Sequence, residues 1–218
     1  SGKLTSGETY TLHEENAPDG YAYAEDVTFT VNEDGSVTEV VMKDKPTSLL
    51  IRKINENNSG LSGATLAIYS VNNNTISSQP VETWVTDAKY HEVNGLNYDQ
   101  CYLLRECIAP DKYVKADDIY FKLDKNGNFY TSDTANGSFV KSDSKYLIMT
   151  DFSTKVVIRK TDITGTEEIS GALLQIIDKD GNVIEQWRSG SPHNINGKLT
   201  AGETYTLHEE NAPDGYAY

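Results

Sequence analysis

Apolar and polar residues alternate with a period of two along much of the chain. In SLLIRKIN at 48–55 and KVVIRK at 155–160, apolar side chains occupy every second position up to a lysine. Because successive side chains of a β-strand point to opposite faces, this period predicts strands with one buried face. Runs rich in Asn, Asp and Gly, at 32–36, 124–128 and 178–182, are typical of hairpin turns. The pattern therefore predicts an all-β protein.

A long repeat organises the strands into domains. Residues 3–23 and 198–218 are identical at 20 of 21 positions, differing only at Ser6 and Ala201, and the offset is 198 − 3 = 195 residues. This period is too long for a solenoid unit and is typical of a tandem array of whole domains. We therefore expect the chain to span slightly more than one period of an array, interrupted within a domain.

A weaker similarity divides the period in two. CYLLRECIAPDKY at 101–113 follows TYTLHEENAPDGY at 9–21, and residues 48–69 parallel residues 155–177. Residues 144–151 likewise parallel 38–44, which predicts a last strand in each domain. Three parts are predicted: a C-terminal domain portion at 1–47, a complete domain at 48–153, and an N-terminal portion of the next domain at 154–218.

The charge excludes some partners. The chain has 33 Asp and Glu against 19 Lys and Arg, a net charge of −14, so it would repel nucleic-acid phosphates and anionic lipid. No apolar run approaches the roughly 18 residues of a membrane span. We expect neither a nucleic-acid partner nor membrane insertion of this segment.

The two cysteines do not predict a disulfide. Cys101 and Cys107 lie in one predicted strand, in which about 3.3 Å per residue separates them by roughly 20 Å. Two reduced thiols are expected. A thioester made by Cys101 is an alternative for which no partner glutamine can be identified, so the role of both cysteines stays open.

Strand parity brings three ionisable residues to the apolar face of each domain. Singly, a lysine at a strand end usually reaches solvent and a carboxylate there usually caps a turn. Their occurrence at matching places in both domains favours a shared buried site, because three buried charges persist only if they pair or react. Each residue follows two apolar residues of the same parity; the residues are Lys53, Glu106 and Asp151 in the complete domain, and Lys160, Glu14 or Glu209, and Asp44 in the divided one.

These motifs resemble a known family. YTLHEENAPDGY at 10–21 is similar to the E-box of pilins and of CnaB-type (collagen-adhesin B) domains of Gram-positive surface proteins. VIRKTD at 157–162 and the segment at 22–44 look like the first and last parts of such a domain. The resemblance covers essentially the whole chain and implies tandem Ig-like or prealbumin-like β-sandwiches.

The resemblance also implies the chemistry. In that family a first-strand Lys bonds covalently to an Asp or Asn on the last strand, assisted by the E-box Glu. The implied isopeptide pairs are Lys53 with Asp151 and Lys160 with Asp44; the implied catalytic glutamates are Glu106, and Glu209 or Glu14. CIAPDKY departs from the usual motif at Cys107 and Lys112, which affects the local turn and not the glutamate.

An apolar pocket would keep the amine and the carboxylic acid neutral, as amide formation requires. The reaction runs once within the protein, so we do not expect an enzyme. No cofactor is expected. The acidic hairpin turns lack the ligand series of an EF-hand, so no metal is expected either.

The predicted function is the structural stalk repeat of a bacterial cell-surface adhesin or pilus-like fibre, extracellular and anchored to the cell wall through other regions. Its expected partners are neighbouring repeats, including head-to-tail contacts with other copies, while host extracellular matrix would bind through other domains. One alternative is a host-matrix or glycan-binding module using exposed aromatic residues, for which Tyr90, Trp84 and Trp187 are candidates. A second alternative is an accessory β-sandwich of a secreted hydrolase.

Overall fold

The computed structural model describes residues 3–216, so positions 1, 2, 217 and 218 of the predicted outer domain portions lie outside the described residues. The described chain contains β-strands and no helix, which confirms the all-β prediction. Accordingly, no helix within residues 3–216 is long and apolar enough to cross a membrane.

The strands fall into three consecutive groups. The first group is β1 (Thr9–Leu12), β2 (Tyr21–Ala22), β3 (Val27–Thr30) and β4 (Lys45–Pro46). The second is β5 (Ser48–Asn55), β6 (Ser62–Asn72), β7 (Thr75–Ile76), β8 (Glu82–Asp87), β9 (Tyr90–Asn94), β10 (Cys101–Ile108), β11 (Tyr113–Val114), β12 (Ile119–Leu123), β13 (Phe129–Ser132), β14 (Val140–Lys141) and β15 (Tyr146–Ser153). The third is β16 (Val157–Ile158), β17 (Leu173–Ile177), β18 (Val183–Arg188), β19 (His193–Asn194) and β20 (Thr206–Asn211).

The second group forms a two-sheet sandwich. One sheet has the order β14-β13-β12-β10-β6-β7, with β8 also paired to β6, and the other has the order β11-β15-β5-β9. All pairs are antiparallel except β5 with β15, which run parallel. The first and last strands of the sandwich are therefore direct neighbours.

The inward faces of these sheets make one apolar core. The period of two predicted from the sequence decides which side chains enter it, because alternate residues of a strand share a face. The buried residues include, from one sheet, Leu49, Ile51, Leu147 and Met149, and from the other, Leu66, Ile68, Leu104, Phe121 and Leu123.

The outer groups carry complementary parts of the same pattern. In the third group β18-β17-β20 repeats the arrangement β8-β6-β10, and β16 pairs with β19 as β5 pairs with β9. In the first group the pair β1–β3 corresponds to β10–β12 of the complete sandwich. The pair β2–β4 corresponds to β11–β15. The division of the chain into domains stays a prediction with which these pairings agree.

The strand predicted over residues 38–44 is absent from the described structure, and this prediction is wrong here. In the complete sandwich β15 is held by the parallel neighbour β5 and by β11. The first group contains the counterpart of β11, namely β2, but no counterpart of β5. Residues 38–44 consequently have nothing to pair with along their length.

The turn and cysteine predictions can also be compared with the structure. Residues 124–128 and 178–182 connect the paired strands β12–β13 and β17–β18, while the turn at 32–36 leads into the unpaired segment. Cys101 and Cys107 both lie on β10, and both thiols are free.

Equivalent threonines join consecutive strand groups. Thr47 donates its backbone N–H to Gly20 and accepts from the N–H of Gly95. Thr154 repeats this arrangement with Lys112 and with Gly197. Both threonine side chains are buried, and their hydroxyls donate to Leu96 at 2.5 Å and to Leu199 at 2.6 Å. Each junction is thus tied to the group before it and to the group after it.

Candidate functional site

The centre of the complete sandwich holds three ionisable side chains. Lys53 comes from β5, Glu106 from β10 and Asp151 from β15, and all three side chains have 0% exposure. β5 and β15 pair so that Met149 lies opposite Lys53, which places Asp151 two residues further along the same face. The structure therefore brings together the three residues that strand parity singled out.

The contacts within this triad are direct. Lys53 Nζ donates a short hydrogen bond to Asp151 Oδ1 and lies 3.1 Å from Glu106 Oε1. Glu106 Oε2 accepts a hydrogen bond from the backbone N–H of Ala116 at 2.7 Å, which fixes the orientation of its carboxyl group. Glu106 Oε1 and Asp151 Oδ2 have no hydrogen-bond partner among the described residues.

Burial changes the acidity of this site. It raises the pKa of Asp151 from 3.8 to about 6, while Lys53 acts to lower that pKa and the neighbouring Glu106 acts to raise it. Asp151 consequently holds its proton over a pH range in which an exposed aspartate would be ionised. A neutral carboxyl group in contact with a lysine amine can undergo acyl transfer.

The divided site is only partly assembled. Lys160 Nζ donates to Glu209 Oε2 at 2.9 Å, but the two side chains are 28% and 17% exposed. Among residues 3–216 Glu209 is the only carboxylate at ion-pairing distance from Lys160. Asp44 lies half-buried in the segment without strand structure.

Glu14, in the other copy of the repeat, occupies the setting of Glu106. Its Oε2 accepts the backbone N–H of Ala24 at 2.8 Å, and Ala24 is ten residues further along, as Ala116 is from Glu106. The two copies of the repeat thus each reproduce part of the site around Glu106. Glu209 accepts a hydrogen bond from a lysine, and Glu14 accepts one from a backbone N–H.

The turn after the E-box keeps its conformation in the complete domain, although Lys112 replaces the glycine of the other two copies. Gly20 and Gly215 adopt φ of 81° and 87° there, and Lys112 adopts 71°. A lysine in this left-handed region costs roughly 1–2 kcal/mol relative to glycine. The turn therefore forms at Lys112 although lysine favours this conformation less than glycine does.

Sequence reasoning missed a second cluster, which covers the edge of the site. Trp84 on β8 and His91 on β9 stack with ring centroids 4.2 Å apart and an interplanar angle of 10°. His91 Nε2 lies 2.6 Å from Glu82 Oε1. β8 and β9 belong to opposite sheets. The stacked pair Trp84 and His91, here called the Trp–His clasp, therefore joins the two sheets at their open edge. The clasp also lines a cavity that reaches Lys53.

The clasp is duplicated in the third strand group. Trp187 stacks on His193 with centroids 4.4 Å apart and an angle of 10°, and His193 Nε2 lies 3.1 Å from Glu185 Oε1. The Lys198 ammonium, together with His193, holds the pKa of Glu185 below its usual value. A Glu two residues before each Trp, with a His shortly after, was the sequence signal available for this cluster.

Each aromatic residue considered for ligand binding makes packing contacts in the structure. Trp84 and Trp187 are partly buried against the two apolar cores. Tyr90 is 41% exposed, and its ring contacts Arg52 and Tyr146. As for a metal, no group of three or more His, Cys, Asp or Glu side chains within residues 3–216 is arranged to hold one.

Comparison with known proteins agrees with this architecture. Residues 1–46, 47–137 and 154–218 match the family model described as "SpaA: Prealbumin-like fold domain". This match confirms the resemblance to CnaB-type domains inferred from the motifs. No curated protein matches the chain significantly.

Solved structures provide further similarities. The Bacillus anthracis TIE protein is 18% identical, with a TM-score of 0.43, over 93% of this chain and 39% of that one. A mutant of the shaft pilin SpaA from Lactobacillus rhamnosus GG is 17% identical, with a TM-score of 0.37, over 78% and 89% of the two chains. The C-terminal fragment of the pilus adhesin SpaC from the same organism is 20% identical, with a TM-score of 0.38, over 79% and 78%. The chain thus spans about two fifths of the TIE protein structure.

Replacement of His91 by Ala should open the edge of the sandwich. Loss of the stack removes about 1 kcal/mol, so amides of β5 and β9 should exchange with deuterium roughly fivefold faster. The matched control is His13→Ala, because His13 is an exposed histidine bound to Asp26 outside this sandwich. Unchanged exchange in His91→Ala would show that the clasp does not hold the sheets together.

Proposed function

Because the chain belongs to the family of SpaA prealbumin-like fold domains, we propose that it is a stalk segment of a bacterial cell-surface adhesin or pilus-like fibre, stabilised by Lys–Asp isopeptide bonds. The observation that supports this best is the fully buried contact of Lys53 with Asp151 beside Glu106. The protein would act outside the cell, anchored to the wall through other regions and joined end to end with neighbouring repeats. Host matrix would be bound by other domains.

The proposed bond forms in one condensation. The neutral Nζ of Lys53 attacks the carboxyl carbon of protonated Asp151, which makes the C–N bond. Glu106 accepts the proton released from the nitrogen and delivers it to the departing hydroxyl, so that one water leaves and an amide remains. Glu106 returns to its starting state, but the lysine and the aspartate are consumed. The protein modifies itself once and turns over no substrate.

Energetics favour the product. The idealised cost of burying a carboxylate or ammonium ion is of order 20 kcal/mol, and it remains several kcal/mol after relaxation. The amide cannot ionise, so once the bond has formed neither group can become a buried ion. The new bond also closes a loop of about 98 residues between Lys53 and Asp151, which the chain-entropy model values at about 4–5 kcal/mol.

The bond would also carry load. β5 and β15 are the first and last strands of the sandwich and run parallel, so tension applied at residues 48 and 153 pulls them past each other. An amide between Lys53 and Asp151 passes that tension directly from one strand to the other. A covalent path of this kind suits a fibre exposed to shear.

The bond itself can be tested by mass. Intact wild-type protein should yield a crosslinked peptide containing Lys53 and Asp151 that is one water lighter than the sum of its parts. Lys53→Ala and Glu106→Gln should each abolish it and lower the free energy of unfolding by about 4–5 kcal/mol. Lys89→Ala is the control, since Lys89 is an exposed lysine beside Asp87. Two separate, unmodified peptides from the wild type would refute the bond.

Bond formation should depend on pH through Asp151. Its folded pKa of about 6 exceeds the unfolded value of 3.8, so the contribution of Asp151 to the stability of the unbonded fold is fully present below pH 3.8 and is lost as pH rises through 6. The reactive protonated acid is lost over the same range. In freshly refolded protein the rate of crosslinking, followed by mass, should fall as pH rises through about 6. A rate that keeps rising across that range would contradict a step that requires protonated Asp151.

Force spectroscopy tests the role as a stalk. Wild type pulled from its two ends should show no unfolding step for residues 48–153. Lys53→Ala should add one step of roughly 300 Å, because about 98 residues at about 3.4 Å each are released. Lys89→Ala should behave as wild type. The same added step in wild-type protein would contradict a load-bearing bond.

A further inference from the structure

We propose that the cavity under the Trp–His clasp is a solvent port of the Lys53 site, and that His91 is the side chain that closes it. The port itself stands on the geometry of the complete sandwich. Its part in bond formation, as an exit for the released water and a barrier to bulk water, rests in addition on the proposed function.

The cavity leads from the surface of the sandwich to its interior. Its volume is about 200 Å³, and its lining includes Lys53, Asp87 and Lys89. The Lys53 side chain has 0% exposure, whereas the side chains of Lys89 and Asp87 are 82% and 67% exposed. Since one lining residue is fully buried and two are well exposed, the cavity connects solvent with the neighbourhood of the Lys53 amine.

The cavity is large and polar enough to hold water. Several water molecules fit into its volume, and a water molecule is stable there only where polar groups can bind it. Lys53, Thr86 and Asp87 supply such groups along the lining. The water released by amide formation would start from a site whose three side chains are fully buried, so it needs a route of this kind.

Strand register places the clasp beside the site. Trp84 on β8 and Glu106 on β10 pair with the same residue of β6, so both lie in one row across that sheet. In the facing sheet His91 pairs with Ile51, which lies two residues before Lys53 on the same face. By parity both rings of the clasp therefore point inward, at the edge from which the cavity reaches the lysine.

The same register recurs in the third strand group. Trp187 and Glu209 pair with one residue of β17, and His193 pairs with Ile158, two residues before Lys160. The histidine follows the tryptophan by six residues there and by seven in the complete sandwich. The stack is thus kept although the connection differs in length. This recurrence links the clasp to the position of the lysine and the glutamate.

His91 is the member of the clasp that can move. It lies on β9, which is an edge strand bonded only to β5 among the described strands. Its side chain is 31% exposed, and Nε2 lies 2.6 Å from Glu82 Oε1, whose side chain is 34% exposed. Rotation of the imidazole towards solvent breaks one ring stack and one hydrogen bond, and leaves the strand pairing intact. The port can therefore open without unfolding of the edge.

Access of a small reagent to Lys53 tests the port directly. The Asp151→Ala variant keeps the Lys53 amine free whether or not the proposed bond forms. Reductive methylation with formaldehyde, followed by mass spectrometry of the Lys53 peptide, should be slow in this variant. Addition of His91→Ala should accelerate it by more than the roughly fivefold that a weakened sheet edge gives. Addition of His91→Phe, which keeps a ring on Trp84, should leave it slow.

Controls separate a port from general loosening. His193→Ala makes the same change in the duplicated clasp outside this sandwich and should not affect Lys53. Exposed Lys89 reports the reactivity of the reagent in every sample. A bulky amine reagent, a biotin N-hydroxysuccinimide ester, is too large for the cavity and should not gain access to Lys53 in His91→Ala. The same comparison in a Glu106→Gln background covers misfolding of Asp151→Ala.

Two results of the methylation experiment would overturn the port. The first is an unchanged rate at Lys53 when His91→Ala is added. The second is equal acceleration with formaldehyde and with the bulky ester, because unfolding of the edge would then admit both reagents.

The pH profile of crosslinking tests the role of the port in bond formation. Asp151 faces Lys53 and Glu106, and burial is the largest cause that raises its pKa to about 6. Water admitted by His91→Ala reduces that burial, so the fall in rate should move to lower pH by about one unit, with roughly tenfold slower crosslinking at pH 7. His193→Ala should leave the profile unchanged.

The outcomes of the two experiments are distinguishable. An unchanged pH profile in His91→Ala would refute the role of the port in bond formation. Absence of any crosslink in the wild type would refute the proposed function, and the methylation of Lys53 would still decide whether the port exists.

Discussion

The structure depends on the parallel pairing of the first and last strands of the sandwich. This pairing sets Lys53 and Asp151 side by side, and the facing sheet brings Glu106 onto them from β10. Parallel neighbours must come from distant parts of a chain, so the surrounding strands serve to hold the two ends in register. The first strand group lacks such a neighbour, and its residues 38–44 keep the sequence of a last strand without forming one.

Much of the fold and of the site was predictable from one sequence. The period of two indicated the strand faces, and parity then placed Lys53, Glu106 and Asp151 on the same interior. The repeat added the evidence that a single residue lacks, because a lysine at the end of one strand has an ordinary explanation and a matched pair of triads does not. The alternation does not show which strands are neighbours, so it could not predict that these three side chains touch.

The remainder depended on tertiary partners. The Trp–His clasp joins edge strands of opposite sheets, so the repeated Glu, Trp and His marks the cluster in the sequence without showing that Trp84 stacks on His91. The strand prediction for residues 38–44 was wrong because of tertiary structure as well. The segment has the alternation of a β-strand, but no described strand lies beside it to pair with. Lys112 is a third case, in which the requirements of the turn outweigh the preference of the residue.

The order of the strands along the chain has a consequence for how such a protein can vary. With the proposed bond between Lys53 and Asp151 in place, a pull from end to end would be borne by residues 48–53 and 151–153, while the intervening residues 54–150 would stay slack. Turns such as those at 73–74 and 124–128 lie wholly in this slack portion. Substitutions in these turns would then leave the tensile strength of the sandwich unchanged, because the turns lie outside the covalent path that carries the load.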